Sequence, residues 1–220
     1  MLKNKRVGKI RIEIPKKQLM KDLERYRALS LEMGALDAKI ISTDQVFIDE
    51  RVLMKCTYPK CENYGTSANC PPHAVTPQQM QRIVSTYHYA IFFTLQAPSE
   101  SCAGPNIEKK GSYESWKKLR KLRYEIASKV ESEAFYNGYY FALGFSGGSC
   151  KSLFCKGKNC AVLENNSCRG MLKARSSMEA VGMDAYRMAT KVGWDIYPIG
   201  KGTSPKDVPF GRGLGLILIY

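Results

Sequence analysis

Acidic side chains are in short supply in this sequence. Against 34 Lys and Arg there are only 20 Asp and Glu, a formal charge of +14. Such an excess calls for an anionic counterpart: an acidic protein partner, an anionic small molecule or nucleic acid. Long apolar runs are missing too. No stretch approaches the roughly 18–20 residues that cross a bilayer, and the apolar end from Leu214 to Tyr220 is too short. No membrane span is therefore expected. The basic opening MLKNKRVGKIRIEIPKK has no apolar segment behind it, so no secretory signal is expected, and a reducing, cytoplasmic location is. No tract has the composition of a disordered tail, and no internal repeat of fixed period occurs. A nucleotide-binding glycine loop is not in evidence either: Gly211-Arg212-Gly213-Leu214-Gly215 leads into a strand pattern, where such a loop would open a helix.

The 220 residues, 44% of them apolar, suffice for one sizeable core, and a single domain over 1–220 is expected. Residues 7–14 alternate apolar and charged side chains, as an edge strand or a partner-binding arm would. Leu19, Leu23, Tyr26, Leu29 and Met33 share one helical face after Pro15, with Gly34 placed to end the helix. Ala38–Ser42 and Gln45–Asp49 resemble a short strand pair. Thr76-Pro77-Gln78-Gln79 has the form of a capping box, and His88–Gln96 reads as a buried strand. Residues 97–112 form a loop with Cys102, followed by a helix from about Ser112 to Tyr136. Its stripe is Trp116, Leu119, Leu122, Ile126, Val130 and Ala134, and its other side carries Lys117, Lys118, Arg120, Lys121 and Lys129. Tyr139–Phe145, Trp194–Ile199 and Leu214–Tyr220 are strand candidates. Helix starts are expected at Ser176, with Glu179 completing a box, and at Asp184. Strands alternating with helices indicate an α/β or α+β class: a mixed-sheet sandwich with helices packed on it and a cysteine-rich metal-binding loop region.

The cysteines carry the chemistry. Cys150, Cys155, Cys160 and Cys168 fall within nineteen residues, and Cys56, Cys61 and Cys70 form a second group. Eight cysteines could form four disulfides, but in a reducing compartment close groups of thiols read first as metal ligands. Thiolate is a soft ligand that selects zinc, copper(I) or iron–sulfur clusters. Structural zinc knuckles separate paired ligands by two to four residues. The longer gaps here suit a larger object, a [4Fe-4S] cluster, one or two of them, with zinc as the alternative. Glycines 147 and 148 let the backbone approach and aim amides at sulfur. Lys151, Lys156, Lys158 and Arg169 favour the anionic thiolates. Three thiolates from Cys56, Cys61 and Cys70 would leave one iron open as a Lewis acid. His73 or Cys102 could instead supply a fourth ligand, or all seven thiols could share one larger cluster. The segments concerned are 55–75 and 146–184.

At these residues the chain resembles a family of predicted metal-binding proteins found largely in anaerobes. The matching pieces are Cys56 to Pro72 with Tyr64-Gly65, then Thr76-Pro77. Further on they are Glu133-Ala134-Phe135, Gly138-Tyr139-Tyr140, Cys150 through Cys168, Ala174 to Ala180, Gly182 and Asp184. The resemblance implies metal or cluster binding by the cysteines and carries no reaction.

Other residues have two readings. Tyr64 lies between two ligand candidates and would donate to sulfur or simply cover the centre. Ser176 and its helix start could face the cluster or an anion, or be no more than a cap. Glu131 and Glu133 could be a general acid or base or solvated carboxylates. The basic face of the long helix lacks interleaved aromatics, which disfavours nucleic acid. Three functions remain open: an iron–sulfur protein with a redox or Lewis-acid role, an electron-transfer or assembly subunit of a larger redox complex, and a zinc-stabilised module binding nucleic acid or protein.

Overall fold

A computed structural model describes residues 7–103, 110–155, 157–200 and 202–220. In chain order the elements are α1 (Lys16–Glu32), β1 (Asp37–Ser42), α2 (Glu50–Thr57), α3 (Pro77–Val84), β2 (Tyr89–Pro98), α4 (Lys110–Tyr136), β3 (Leu143–Phe145), α5 (Lys151–Phe154), α6 (Ala185–Lys191) and β4 (Phe210–Leu218). The strands form one sheet in the order β1-β2-β4-β3. Every ladder is antiparallel, so of the two expected classes the fold is α+β, and the sheet is antiparallel where a mixed one was expected.

β2 is nearly continuously apolar because both of its faces are covered. Phe92 and Ala90 face a core with Leu214, Leu216 and Leu218 of β4. Ile91, Phe93 and Leu95 face the other core with Ile217 and Ile219. One residue of slip would exchange the two sets, so register follows from the pattern. The first face is closed by α3, α6 and Met178 to Trp194, with the Trp194 ring 4.9 Å from Phe92. α1 and α4 close the second, through Leu19, Leu23, Tyr26, Ile126, Val130 and Ala134. Each fully buried Phe or Leu in these cores contributes roughly 2–3 kcal/mol.

Local signals placed several elements correctly. Thr76 accepts from the Gln79 amide while Gln79 Oε1 accepts from the Thr76 amide, the expected box. Asp184 caps α6 through the Arg187 amide at 2.9 Å. Other strand expectations fail. Residues 7–14 do not join the sheet, so the edge-strand reading falls; Gly8 and Arg11 donate to the carbonyls of Tyr136 and Gly138 at the end of α4. Gln45–Asp49 makes only a bridge from Ile48 to Met183 among the described residues, and Trp194–Ile199 is irregular, meeting β4 through side chains, Arg212 Nε on Asp195 O and Tyr197 against Phe210. Residues 104–109 of the expected loop and Lys156 lie outside the described residues.

Candidate metal centre

β3 ends at Phe145, and Ser146 then bridges to the segment before α6. Its amide donates to Ser176 O, and its carbonyl accepts from Met178, each at 3.0 Å. Beyond it, three successive carbonyls are held by one face of α4. Arg123 Nη2 donates to Gly147 O at 2.5 Å, Tyr124 Oη to Gly148 O at 2.7 Å, and Arg120 Nη2 to Ser149 O at 3.1 Å. Positions 120, 123 and 124 are neighbours on a helix surface. Glycine is required at 147, where a Cβ would stand 2.8 Å from Arg123 Cζ, and at 148, where φ is +71°. In a trans peptide the C=O and the following N–H point opposite ways. The amides of Gly148, Ser149 and Cys150 therefore turn away from α4, and none donates to an acceptor among the described residues.

The other cysteine segment starts in the last turn of α2, which carries Cys56. The chain then folds through tight turns: Cys61 N donates to Cys56 O, Tyr64 N to Cys61 O, and Cys70 N to Ser67 O, each at 3.0 Å. Gly65 N reaches Pro71 O at 2.7 Å and closes the loop.

The two segments, some eighty residues apart, meet. Asn69 Nδ2 donates to Cys150 Sγ at 3.5 Å, and Ser67 Oγ lies 3.9 Å from the same sulfur. Cys70 Sγ donates to Ser149 Oγ at 3.6 Å. Ser176 Oγ donates to Asn69 Oδ1 at 3.1 Å and so fixes the amide. Burial opposes ionisation of Cys160, but amides of Ala68, Leu163 and Val162, with Arg169, outweigh it and hold its thiol below the usual range. Burial, then Cys61, Glu179 and Cys70, pushes Cys56 up to about 11. Cys150 is also raised, first by burial and then by Cys70 and Cys155, against the donors Asn69 and Ser67. All eight cysteines are free thiols. Among the described residues, no three of His, Cys, Asp and Glu are gathered tightly enough to hold a single ion. The donor set is nonetheless one of soft thiols lined by hydrogen-bond donors, which fits a soft metal centre.

The family described as "Predicted metal-binding protein (DUF2284)" matches residues 39–213. The chain belongs to this family. No curated protein and no solved structure matches it. The match spans both cysteine segments, so the family supports a metal as cofactor without naming the metal.

Within this family member the remaining candidates fare unequally. Cys168 is half-buried, without a hydrogen bond to the other segment among the described residues. Tyr64 is half-buried, its ring under Lys60 at 5.3 Å. His73 is exposed, its amide donating to Cys70 O. Cys102 is buried against the Pro98 and Ser99 carbonyls and lines a cavity it shares with Asn63 and Gly147–Ser149. No α-helix starts at Ser176: a three-residue turn, Glu179–Val181, follows, and Ser177 Oγ takes the Ala180 amide. The expected helix end facing an anion is thus not there, because Gly182, with φ +82°, stops the turn at once. Glu131 is neither solvated nor free for acid–base work. It is paired twice with Arg175, at 2.6 and 2.7 Å, and accepts from the Gly144 amide. Glu133 pairs with Lys129 and Arg25. Arg120, expected on a solvated face, anchors the cysteine loop instead. Ser67, in the Tyr64–Ser67 stretch expected near the metal, does reach a cysteine sulfur; sequence reasoning missed Arg123, Tyr124 and Asn69. The spacing 120, 123, 124 beside the apolar stripe was the one available signal. A larger cavity of about 860 Å³, at the far end of β4 near Tyr87 and Tyr220, holds no cysteine. Among the described residues no helix is long and apolar enough to cross a membrane.

Proposed function

We propose that the chain is an iron–sulfur protein of a reducing cytoplasm with a redox or Lewis-acid role. Cys150, Cys155, Cys160 and Cys168 hold one [4Fe-4S] cluster, and Cys56, Cys61 and Cys70 hold a second centre beside it. The observation that carries this reading is the meeting of the two segments, through Asn69 with Cys150 and Cys70 with Ser149. Structural zinc knuckles separate their paired ligands by two to four residues, and the gaps of eight residues before Cys70 and seven before Cys168 are longer. A cuboidal cluster reaches thiolates spread over a wider span. Such a centre supplies one-electron transfer and, where an iron lacks a thiolate, a Lewis acid. The protein's part is to hold and tune it. The Gly148–Cys150 amides and Asn69 donate to sulfur, Ser176 orients Asn69, and Tyr64 covers the first segment. The +14 charge would receive an acidic protein partner, as an electron-transfer subunit requires, or an anionic small molecule.

The test is anaerobic purification with iron, sulfide and zinc counted per chain, and a spin-resonance spectrum of the reduced protein. Iron and sulfide in near-equal number, lost in Cys150→Ser, are expected. A colourless chain holding zinc alone would sink the reading.

A further inference from the structure

We propose that the cavity between α4, the Gly147–Ser149 strip and β4 binds a small organic oxyanion, a carboxylate or a phosphate carried on an apolar body. The cavity measures about 360 Å³, at the small end of the roughly 300–1,000 Å³ of ligand sites. It is lined by three guanidinium groups, Arg120, Arg123 and Arg212, and one carboxylate, Glu179. None of the three arginines forms an ion pair among the described residues.

Arg123 is the most telling. It is only 6% exposed, and it donates through Nη2 to Gly147 O, while its buried Nε has no partner. Arg120 Nε is left in the same way, and so is Glu179 Oε2. Buried cations without a counter-ion are costly, and a fold tolerates them where a ligand supplies the anion. The guanidinium fork matches the two oxygens of a carboxylate or phosphate. Trp116 and Tyr197 line the same cavity, so the ligand needs an apolar or aromatic body as well as a charge. One carboxylate against three cations disfavours an amine.

The cavity's position gives it a use. Its wall is the strip that leads into Cys150, and Asn63, between Cys61 and Cys70, also reaches it. A ligand there lies beside the thiols. As a substrate site the cavity rests on the metal centre proposed above, while its binding of an oxyanion does not.

Isothermal titration of the full chain, purified anaerobically, tests this with benzoate, phenyl phosphate, inorganic phosphate and neutral benzamide. Benzoate or phenyl phosphate is expected to bind at least about tenfold more tightly than benzamide and inorganic phosphate. Whichever of the two is tighter identifies the oxyanion. Arg123→Gln and Arg212→Gln should each weaken that binding by about tenfold or more. Among the described residues Arg212 has its hydrogen bonds with Asp195 and Thr94 and none with the cysteine loop, so its variant keeps the test decisive if Arg123→Gln misfolds. Benzamide binding as tightly as benzoate, inorganic phosphate as tightly as phenyl phosphate, no binding at all, or binding unchanged in Arg212→Gln would each overturn the proposal. Iron, sulfide and zinc are counted in the same samples. Oxyanion binding to a zinc-only chain removes the iron–sulfur reading and leaves the pocket. An iron–sulfur chain that binds no oxyanion does the reverse.

Discussion

Asn69 holds the two cysteine segments to each other: its amide nitrogen reaches Cys150 and its oxygen accepts from Ser176. Nothing in a lone Asn between Ala68 and Cys70 announces this, because both of its partners are remote in sequence. Asp37 illustrates the same limit and offers a measurement. Burial raises its carboxyl, but Trp194 Nε1 at 2.9 Å, Lys39 and the Ala38 amide outweigh burial and hold it below the usual carboxylate range. A lowered value means stability that is fully present above the unfolded carboxylate's pKa of about 3.9. That stability is lost as pH falls through the lower folded value. Wild type should therefore exceed Asp37→Asn in melting temperature at pH 6, with the gap closing below about pH 4. Because the group is partly exposed, the gap is small, under about 1 kcal/mol. Thermal melts across pH 2.5–7 check it, and a gap independent of pH would refute it.

At the scale of elements, α4 serves two purposes on adjoining faces. Ile126, Val130 and Ala134 bury against the sheet, and this stripe was legible from its 3.6 period. The neighbouring Arg120, Arg123 and Tyr124 hold the cysteine loop; of these only Arg120 was placed from the sequence, on a solvated face, and the other two drew no notice because a polar partner remote in sequence leaves no periodic trace. β4 shows the converse case. The expected strand began only at Leu214, yet β4 starts at Phe210, and its alternate glycines fall on the strand face toward α4. Gly213 makes room for Leu119, with a Cβ there 2.9 Å from its Cδ2. Gly215 lies opposite Phe93 in the ladder, and that ring occupies the space a Cβ would take. Gly215→Ala should therefore overpack the second core and cost about 1–3 kcal/mol, read as a lower denaturant midpoint with unchanged slope. A variant as stable as wild type would show that Phe93 can move aside.

For the whole molecule, regular structure is unevenly shared. The sheet and its helices bury two cores, whereas the described residues of 146–178 contain as helix only the four-residue α5 and a short turn at Ala161–Glu164. Segments with so few backbone bonds open at low free energy, and a metal that ties thiols together supplies the missing stability. Chelation should accordingly speed amide exchange by about tenfold or more in 56–70 and 150–173, while β2 and β4 stay protected. Hydrogen-exchange mass spectrometry before and after chelation tests this; uniform acceleration over the sheet would contradict it.

By itself the sequence determined the inventory: which thiols are available, the excess of Lys and Arg, the caps of α3 and α6, and the apolar stripes. These are local properties, set by neighbours within one or two turns. Only the tertiary structure decided that Cys70 lies beside Ser149 and Cys150, that Arg123 is buried without an ion pair among the described residues, and that Glu131 is committed to Arg175. Each of those depends on the pairing of β3 with β4 and the seating of α4 across them. Contacts between residues dozens of positions apart are fixed by packing, and no spacing along the chain records them.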